Sequence, residues 1–554
     1  MKTKGQKIVY LCAIAIIIVL LVIGATSGKD LTGTLWSLMP PFVAIGLALI
    51  SKETFSSLFI GCFVGAIIYS NFNLWDAICN VIGPDIGITY SLTDAWNMGI
   101  IVFLVILGIL VNLVNRGGGS AAFGRWAQGH IKTRAGAQLI TMLLGTIIFI
   151  DDYFNCLTVG SVMRPVTESH HISRAKLAYL IDATAAPVCM LVPVSSWGAA
   201  VSGYVTENVL EAGHTGIELF LCQIPYNYYC LGTLFMIIII SILNIDYGPM
   251  LEHEYNAQVK NDLFTTPERP FEGADDYEEG AAKSNVLDLL FPIIVLIISC
   301  VCSMVWTGGF FDGEPFLDAF ANCDAAYGLS IGGIIALIIT FAWFWVRKAI
   351  PFSESFSSVP KGFQQMAEPI LILTFAWTLK NFTDGIGSTD YVNSLLVGAE
   401  NLQAFLPALI FVIACVIAFA TGTSWGTIGI MVPIVCAAFD PVTQWDLLQV
   451  GLAGACAGGV CGDHCSPISD TTIMASAGSH CFHLNHVTTQ LPYAGTVIAV
   501  SFVAFIIAGF IQNAIVCLLI DFALMFVVLL AIKAVVGKKH ADKLAEIKAA
   551  NAAR

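Results

Sequence analysis

Charged residues are scarce in this sequence. Asp, Glu, Lys and Arg together make up 12% of its 554 residues, whereas soluble globular domains carry about 25%. Hydrophobic residues account for 57% of the chain, and the mean hydropathy is +0.80. This composition excludes a soluble globular domain and predicts an integral membrane protein.

Several signatures of other protein classes are also missing. The sequence has no nucleotide-binding motif and no water-facing catalytic domain, so we expect no enzyme activity, no cofactor and no nucleic-acid partner. It has no continuous ring of charges and no repeated filter loop, which disfavours a channel. Its 17 cysteines are scattered through apolar blocks, which indicates packing residues rather than a secreted disulfide framework.

Apolar blocks of about 20 residues, long enough to cross a bilayer as helices, recur between Ile8 and Val536, and roughly 12 to 14 can be counted. They predict an all-α polytopic membrane protein. Residues 8–23 follow a short basic segment, and we interpret them as a first span because no cleavage site follows. Lysines near both ends of the chain predict that both termini are cytoplasmic.

Four apolar blocks are unusually long and polar in the middle: residues 136–166, 175–205, 405–439 and 447–477. The last contains Gly-Asp-His-Cys-Ser-Pro-Ile-Ser-Asp-Thr-Thr at 462–472. An Asp at bilayer depth costs roughly 2.5 to 3.5 kcal/mol on insertion scales, so Asp463 and Asp470 must face a polar cavity with partners. Pro467 interrupts the helical hydrogen bonding and frees carbonyls nearby. We therefore predict broken helices.

The polar-centred blocks recur in two halves of the chain. A shift of about 269 residues aligns Thr158 with Thr427, and a shift of about 274 aligns residues 193–196 with 467–470, which places Asp470 opposite Ser196. This pattern predicts two structural repeats with a transport site between them at the bilayer midplane. We expect the repeats to be inverted and to contain re-entrant hairpins, but inversion requires an odd number of crossings in each repeat, and residues 121–131 suit either a surface helix or half of a re-entrant hairpin. The predicted domains are an N-terminal span (1–30), a first repeat (31–244), a solvated acidic linker (245–284), a second repeat (285–513), and a C-terminal span with a basic tail (514–554).

The polar residues of these blocks suit a small hard cation such as Na⁺, which needs several oxygen ligands. The predicted cation- or substrate-binding residues are Asp152, Asn155, Thr158, Ser195, Ser424, Thr427, Asp463, His464, Ser469, Asp470 and Thr471. Among them, the predicted Na⁺ ligands are Asp152, Asn155, Ser424, Thr427, Asp463 and Asp470. Burial favours a neutral carboxyl whereas a bound cation favours the ionised form, so one group can alternate between a proton and Na⁺.

Several polar and aromatic residues of these apolar blocks also have a structural interpretation. Asp151 and Asp152 suit a helix cap, Asp182 suits a buried hydrogen-bond partner, and Lys380 and Asp384 suit an ion pair four residues apart on one helix face. Trp197 and Trp425 suit either substrate walls or ordinary packing. A cluster of cysteines and histidines also suits zinc binding, although its spacing matches no standard finger: Cys461, His464, Cys465, His480, Cys481, His483 and His486. His464 also suits a proton-linked role.

Residues 462–472 resemble the signature of the NhaC family of Na⁺/H⁺ antiporters. The resemblance extends to residues 151–155, 162–167 and 193–198, and covers most of the chain between Thr34 and Gln512. It implies a Na⁺/H⁺ antiporter of the bacterial inner membrane, with the inverted repeats and elevator motion of the ion-transporter superfamily, acting as a homodimer. Relatives with this signature also include malate/lactate exchangers and sodium-coupled amino-acid carriers, so an organic acid or amino acid stays open as the cargo.

Overall fold

The computed structural model describes residues 4–26, 31–51, 54–149, 152–193, 195–267, 269, 284–388, 391 and 400–552. Within these ranges the chain forms α-helices and short 3-10 helices and contains no β-strand. The predicted all-α class is therefore confirmed. The breaks between the helices, described below, position the candidate site.

The helices before residue 245 form one series. Their bounds are α1 Lys4–Thr26, α2 Met39–Ser51, α3 Thr54–Tyr69, α4 Leu74–Ile82, α5 Ile88–Thr93, α6 Ala95–Arg116, α7 Gly119–His130, α8 Arg134–Ile147, α9 Asp152–Ser169, α10 Arg174–Asp182, α11 Ala186–Cys189, α12 Ser196–Gly203, α13 Glu207–Glu211, α14 Gly216–Gln223 and α15 Tyr228–Leu243.

The helices that follow form a second series. Their bounds are α16 Pro249–Val259, α17 Leu287–Thr307, α18 Phe316–Ala321, α19 Ala325–Val346, α20 Phe352–Ser355, α21 Ser358–Gly385, α22 Leu406–Thr421, α23 Ser424–Ala438, α24 Trp445–Cys465, α25 Asp470–Ser479, α26 His483–Ile511, α27 Ala514–Lys539 and α28 Ala541–Ala552.

Few of the apolar blocks form one uninterrupted crossing helix. Among the described residues, 6 helices are long and apolar enough to cross a bilayer, and the segments Gly216–Tyr226 and Tyr228–Leu243 form one further candidate span with a 44° bend. This number is smaller than the 12 to 14 apolar blocks because many blocks are divided into shorter helices. A chain with this set of helices is a multi-pass membrane protein.

All four polar-centred blocks are broken, as predicted. α8 ends before α9 begins at Asp152, and residues 183–195 separate α10, α11 and α12. α22 and α23 are separated by Gly422 and Thr423, and α24 and α25 by residues 466–469. The correspondence between the two halves is consistent with a duplication, which stays a prediction, as does the inversion of the repeats.

Two of the breaks lie directly against each other. Gly422 has a φ of +66°, and a Cβ at this position would lie 2.7 Å from the carbonyl oxygen of Ile468. Only glycine adopts this backbone conformation without strain and also leaves room for the neighbouring chain. The break after α22 is therefore packed on the break after α24.

The acidic segment 245–284 differs from the predicted solvated linker in its first part. α16 buries Met250, Leu251 and Glu254, among others. The Glu254 carboxylate forms an ion pair with Arg134 and accepts a hydrogen bond from the backbone N–H of Ser173, while Lys176 Nζ lies 2.8 Å from Asp246 Oδ1. The prediction was wrong here because these acids face bases on α8 and α10. Residues 268 and 270–283 lie outside the described ranges.

Two hydrophobic cores meet at the α24–α25 break. Val460 and Cys461 of α24 belong to one core together with Tyr229 of α15. Tyr153 of α9 and Met474 of α25 belong to the other. The polar residues between α24 and α25 therefore lie where the two cores adjoin.

Candidate cation-binding site

Asp463 lies within the last turn of α24. Its Oδ2 accepts a 2.6 Å hydrogen bond from the Ser424 hydroxyl and a 3.4 Å hydrogen bond from the Thr471 hydroxyl. Its Oδ1 is buried and has no hydrogen-bond partner among the described residues. The C-terminal end of a helix carries partial negative charge, which favours a bound cation. Asp463 therefore combines a favourable position for a cation with a free ligand oxygen.

Asp152 and Asp470 share a different environment. Each is the first residue of its helix, and each accepts a hydrogen bond from the backbone N–H of the next residue on Oδ1. On Oδ2, Asp470 accepts a 2.5 Å bond from the Tyr153 hydroxyl, and Asp152 accepts a 3.1 Å bond from the indole N–H of Trp197. Helix N-termini and N–H donors stabilise negative charge. Both oxygens of Asp152 and of Asp470 therefore accept a hydrogen bond, whereas only one oxygen of Asp463 does.

The three carboxyl groups form one electrostatic cluster. Asp463 interacts with Asp470, and Asp470 interacts with Asp152. All three side chains are buried, and like charges at low dielectric repel strongly. A cation or a proton bound among them relieves this repulsion.

Asp182, the last residue of α10, organises a second polar group beside the first. Its Oδ2 accepts hydrogen bonds from the Thr472 hydroxyl at 3.2 Å and from the Gln490 side-chain amide at 2.8 Å, and His486 Nε2 lies 3.1 Å away. The sequence left Asp182 open between a structural hydrogen-bond partner and a functional residue. In the fold it connects α10, α25 and α26.

His464 lies between these two groups. Its Nδ1 shares a 2.6 Å hydrogen bond with the Tyr229 hydroxyl, and its Nε2 is 3.8 Å from Asp182 Oδ2 with no hydrogen-bond partner among the described residues. Its backbone carbonyl accepts a hydrogen bond from Gln490. The imidazole is therefore placed between Tyr229 and Asp182.

Asn155 and Thr158 extend along α9 away from the carboxyl cluster. The Asn155 amide donates to the carbonyls of Gly145 at 2.6 Å, Ile148 at 2.9 Å and Thr184 at 3.0 Å, while its Oδ1 is buried without a partner. The Thr158 hydroxyl is also buried without a partner. Asn155 holds the broken ends of α8 and α10 together and keeps one oxygen available.

The remaining predicted hydroxyls mainly form hydrogen bonds with backbone groups at the helix breaks. Ser195 caps α12 and donates to the carbonyls of Cys189 and Val192. Ser469 caps α25 and shares a 3.1 Å hydrogen bond with Thr471, and Thr427 donates to the Thr423 carbonyl at 3.0 Å. The structure thus brings Ser424, Ser469 and Thr471 together with Asp463 and Asp470, whereas Ser195 does not join them.

Sequence reasoning missed several polar residues of the site. Thr423 has a buried hydroxyl without a partner, directly before Ser424. Its place between Gly422 and Ser424 in a broken block was an available signal. Tyr153 and Gln490, which hydrogen-bond Asp470 and Asp182, are separated from them by more than 300 positions in sequence. No local pattern connects such residues.

Two tryptophans and an ion pair flank the site. The rings of Trp197 and Trp425 stack with centroids 3.9 Å apart. Lys380 Nζ lies 2.8 Å from Asp384 Oδ2, which confirms the predicted i,i+4 pair. A small cleft of about 30 Å³ lies beside this pair and is bordered by Thr423. The cleft therefore reaches the residue next to Ser424.

The sequence left zinc binding by histidines and cysteines as an alternative. In the part of the chain that the structure describes, no three His, Cys, Asp or Glu side chains are placed to hold a metal ion together. The zinc alternative therefore gains no support, and the carboxyl and hydroxyl groups remain the candidate cation ligands.

A sequence profile described as the Na⁺/H⁺ antiporter family matches residues 188–510. The chain belongs to the Na⁺/H⁺ antiporter family. This result confirms the resemblance to the NhaC family and shows a membrane transporter. The profile match includes α23, α24 and α25, and therefore contains Ser424, Asp463 and Asp470.

Individual relatives extend the comparison. An uncharacterized protein of Haemophilus influenzae is 37% identical over 515 residues, covering 91% of this antiporter-family chain and 96% of that protein. The malate-2H⁺/Na⁺-lactate antiporter of Bacillus subtilis is 27% identical over 189 residues, covering 32% and 39% respectively. The solved structure of Neisseria gonorrhoeae MtrF, described with a class of antimetabolite efflux pumps, aligns over 82% of this chain and 94% of its own with 12% identity and a TM-score of 0.32.

Proposed function

We propose that this protein is a secondary antiporter that exports Na⁺ in exchange for protons across the bacterial inner membrane. The observation that carries the proposal is the Asp463 carboxyl, which has one oxygen bonded to Ser424 and Thr471 and the other buried without a partner. Family membership supports the transport class. The cation and the direction of exchange are part of the proposal.

The oxygens around Asp463 match the requirements of Na⁺. Hard cations prefer carboxylate, hydroxyl and carbonyl oxygens, and breaks in membrane helices supply them. The proposed ligand group contains Asp463 Oδ1, the hydroxyls of Thr423 and Ser424, and the hydroxyls of Ser469 and Thr471. Asp470 and Asp152 stay in the site as neighbouring charges that bind Na⁺ or a proton in turn.

Competition at one cluster couples the two ions. When Na⁺ leaves, the carboxyl cluster loses a positive charge and its groups repel each other more strongly. Proton uptake restores the balance, and the next Na⁺ must displace that proton. Because the groups are buried, binding of one ion lowers the affinity of the cluster for the other. Exchange therefore needs one site exposed alternately to the two sides.

A second candidate is Na⁺- or H⁺-coupled exchange of a small organic acid or amino acid. It is supported by the similarity to a malate-2H⁺/Na⁺-lactate antiporter over 189 residues and by the cleft beside Lys380 that reaches Thr423. Lys380 and its ion-pair partner Asp384 both border this cleft, and an organic carboxylate would bind there by replacing Asp384 as the partner of the ammonium group.

Transport by purified protein in liposomes separates the two candidates. For Na⁺/H⁺ antiport, an inward Na⁺ gradient should alkalinise the lumen, as protons leave in exchange, with no organic solute present. Asp463→Asn should abolish this change, whereas Asp440→Asn, a matched change in an exposed turn, should not. If the wild type moves ²²Na⁺ only when malate, lactate or an amino acid is supplied, the first proposal fails and the second stands.

The setting of the transporter is also part of the proposal. We expect both termini to be cytoplasmic and the protein to act as a homodimer. Labelling of a cysteine added at each terminus, from either side of the membrane, tests the orientation. Measurement of the protein's mass in detergent tests the homodimer.

A further inference from the structure

Asp521 is a buried acid on α27 outside the candidate site and outside the family match. The buried residues of α27 are Cys517, Asp521, Met525 and Leu529. Their spacing of four places them on one face of the helix. Asp521 therefore occupies a position in an otherwise uncharged packing stripe, where its side chain has no exposure to solvent.

This face of α27 packs closely on α15 and α26. A Cβ added at Gly232 of α15 would lie 3.6 Å from Asp521 Oδ2 and 3.3 Å from a methyl group of Val497 in α26. The absence of a side chain at Gly232 thus lets the carboxyl approach the α15 backbone, in a layer shared with Val497.

The carboxyl group of Asp521 has no hydrogen-bond partner. Both of its oxygens are buried without a hydrogen bond among the described residues, and so is the hydroxyl of Ser501, while the Tyr228 hydroxyl interacts with the Cys517 thiol. Ser501 lies one turn from Val497 on α26 and one turn from Phe505, whose ring centroid is 4.9 Å from that of Tyr228. The two hydroxyls therefore border the layer that contains the carboxyl.

Among the described residues, the titratable groups beside Asp521 are uncharged cysteine and tyrosine side chains. Its own helix contributes Cys517, α15 contributes Tyr228, and Tyr226 of the 3-10 turn before α15 interacts with both of these. α26 contributes the uncharged Val497 and Ser501. The lysines of α27 and α28 lie at the opposite end, beginning at Lys533. Within the described ranges, no Lys, Arg or His forms an ion pair with Asp521.

An ionised carboxylate in this layer would have neither an ion pair nor a hydrogen bond among the described residues to stabilise its charge. Asp521 is the eighth residue of α27, about 10 Å along the helix from its first residue, and its side chain is too short to reach an interface. Unpaired charges at this depth are neutralised rather than tolerated. A Na⁺ ion would need more oxygens than this carboxyl and two hydroxyls provide. A proton needs no further ligands.

We propose that Asp521 is a proton-binding carboxyl, separate from the Asp463 cluster and occupied by a proton at neutral pH. The inference goes beyond the proposed Na⁺/H⁺ exchange and does not depend on it. Tyr228, beside Asp521, is followed directly by Tyr229, which hydrogen-bonds His464. The first turn of α15 therefore borders both this carboxyl and the central polar groups.

A hydrophobic carbodiimide tests the proposal on the full-length protein. A protonated carboxyl adds across one C=N bond of the reagent, so that a C–O bond forms and the proton moves to nitrogen. The adduct then rearranges to a stable N-acylurea with no leaving group. Dicyclohexylcarbodiimide followed by peptide mass spectrometry should modify Asp521 at neutral pH and leave the exposed Asp542 unmodified. The yield should fall about tenfold per pH unit above the titration range.

Further measurements test the proposal whether or not the carbodiimide reaches Asp521. The infrared difference spectrum between wild type and Asp521→Asn should show the carbonyl stretch of a protonated carboxyl at neutral pH, and a carboxylate band there instead would overturn the proposal. Adding Na⁺ should leave the Asp521 adduct unchanged, since protection by Na⁺ would indicate a cation site. Asp521→Leu should fold with an unchanged or raised melting temperature. A large drop would overturn the assignment by showing that the carboxyl is a structural partner.

Discussion

The Ser424 hydroxyl donates a 2.6 Å hydrogen bond to Asp463 Oδ2 across two helix breaks. Ser424 is the first residue of α23 and Asp463 lies in the last turn of α24, so the bond joins a helix N-terminus to a helix C-terminus. Ser424→Ala would leave a buried carboxylate oxygen short of a donor, at a cost of about 1–3 kcal/mol. We predict a rise of about tenfold in the KM for Na⁺.

Radiotracer uptake over a range of Na⁺ concentrations measures this effect. Ser202→Ala is the matched control because Ser202 is a buried serine that donates to a carbonyl of its own helix, away from Asp463. An unchanged KM in Ser424→Ala would show that the Ser424–Asp463 bond has no role in binding Na⁺.

The packing of the two breaks predicts intolerance at Gly422. Gly422→Ala places a Cβ 2.7 Å from the Ile468 carbonyl at a φ of +66°, so the α22–α23 and α24–α25 breaks must move apart. We expect loss of transport and a lower melting temperature. Gly495→Ala, inside α26 with no atom within 4 Å of the new Cβ, should be neutral or slightly stabilising. Equal behaviour of the two variants would argue against the packed breaks.

The hydrogen bonds of the Asn155 amide predict that replacing this residue lowers the stability of the protein and does not affect ion binding alone. Asn155→Leu leaves the buried carbonyls of Gly145, Ile148 and Thr184 without this donor. The expected loss is about 2–4 kcal/mol, since each unsatisfied buried group costs on the order of 1 kcal/mol or more. Asn208→Leu removes a donor to a single carbonyl, that of Cys436, and should lower the thermal unfolding temperature much less. A reversed order would contradict this role for Asn155.

Helix α16 in the acidic segment gives a prediction that compares two of its glutamates. Glu254 is buried in its ion pair with Arg134, while Glu252 pairs with Lys543 at the surface. Glu254→Ala strands a partly buried guanidinium and should destabilise by about 3–5 kcal/mol. Glu252→Ala should cost less than about 1 kcal/mol. Thermal unfolding in detergent compares them, and similar losses would mean that α16 is not held by the buried pair.

The sequence predicted the breaks more completely than the contacts across them. Polar residues, glycine and proline inside long apolar blocks mark a break locally, and all four predicted blocks are broken. The partners of the acids are not marked locally. Tyr153 reaches Asp470, and His486 and Gln490 reach Asp182, only because helices distant in sequence pack together.

The same limitation explains why the sequence favours Asp470 as the central acid whereas the structure favours Asp463. Comparison of the two halves singled out Asp470 because Ser196 stands opposite it in sequence. The geometry shows that Asp470 is supplied with donors by Tyr153 and by the start of α25. Asp463 keeps an oxygen without a partner. A helix terminus and its donors appear only after folding, so sequence alone could not rank the two.

The most direct test of the central claim is Na⁺-driven proton movement by Asp463→Asn in liposomes, measured with an internal pH dye beside wild type and Asp440→Asn. The account predicts alkalinisation of the lumen by an inward Na⁺ gradient for wild type and for Asp440→Asn, and none for a folded Asp463→Asn protein. Wild-type proton movement in Asp463→Asn would contradict the assignment of Asp463 as the exchange site.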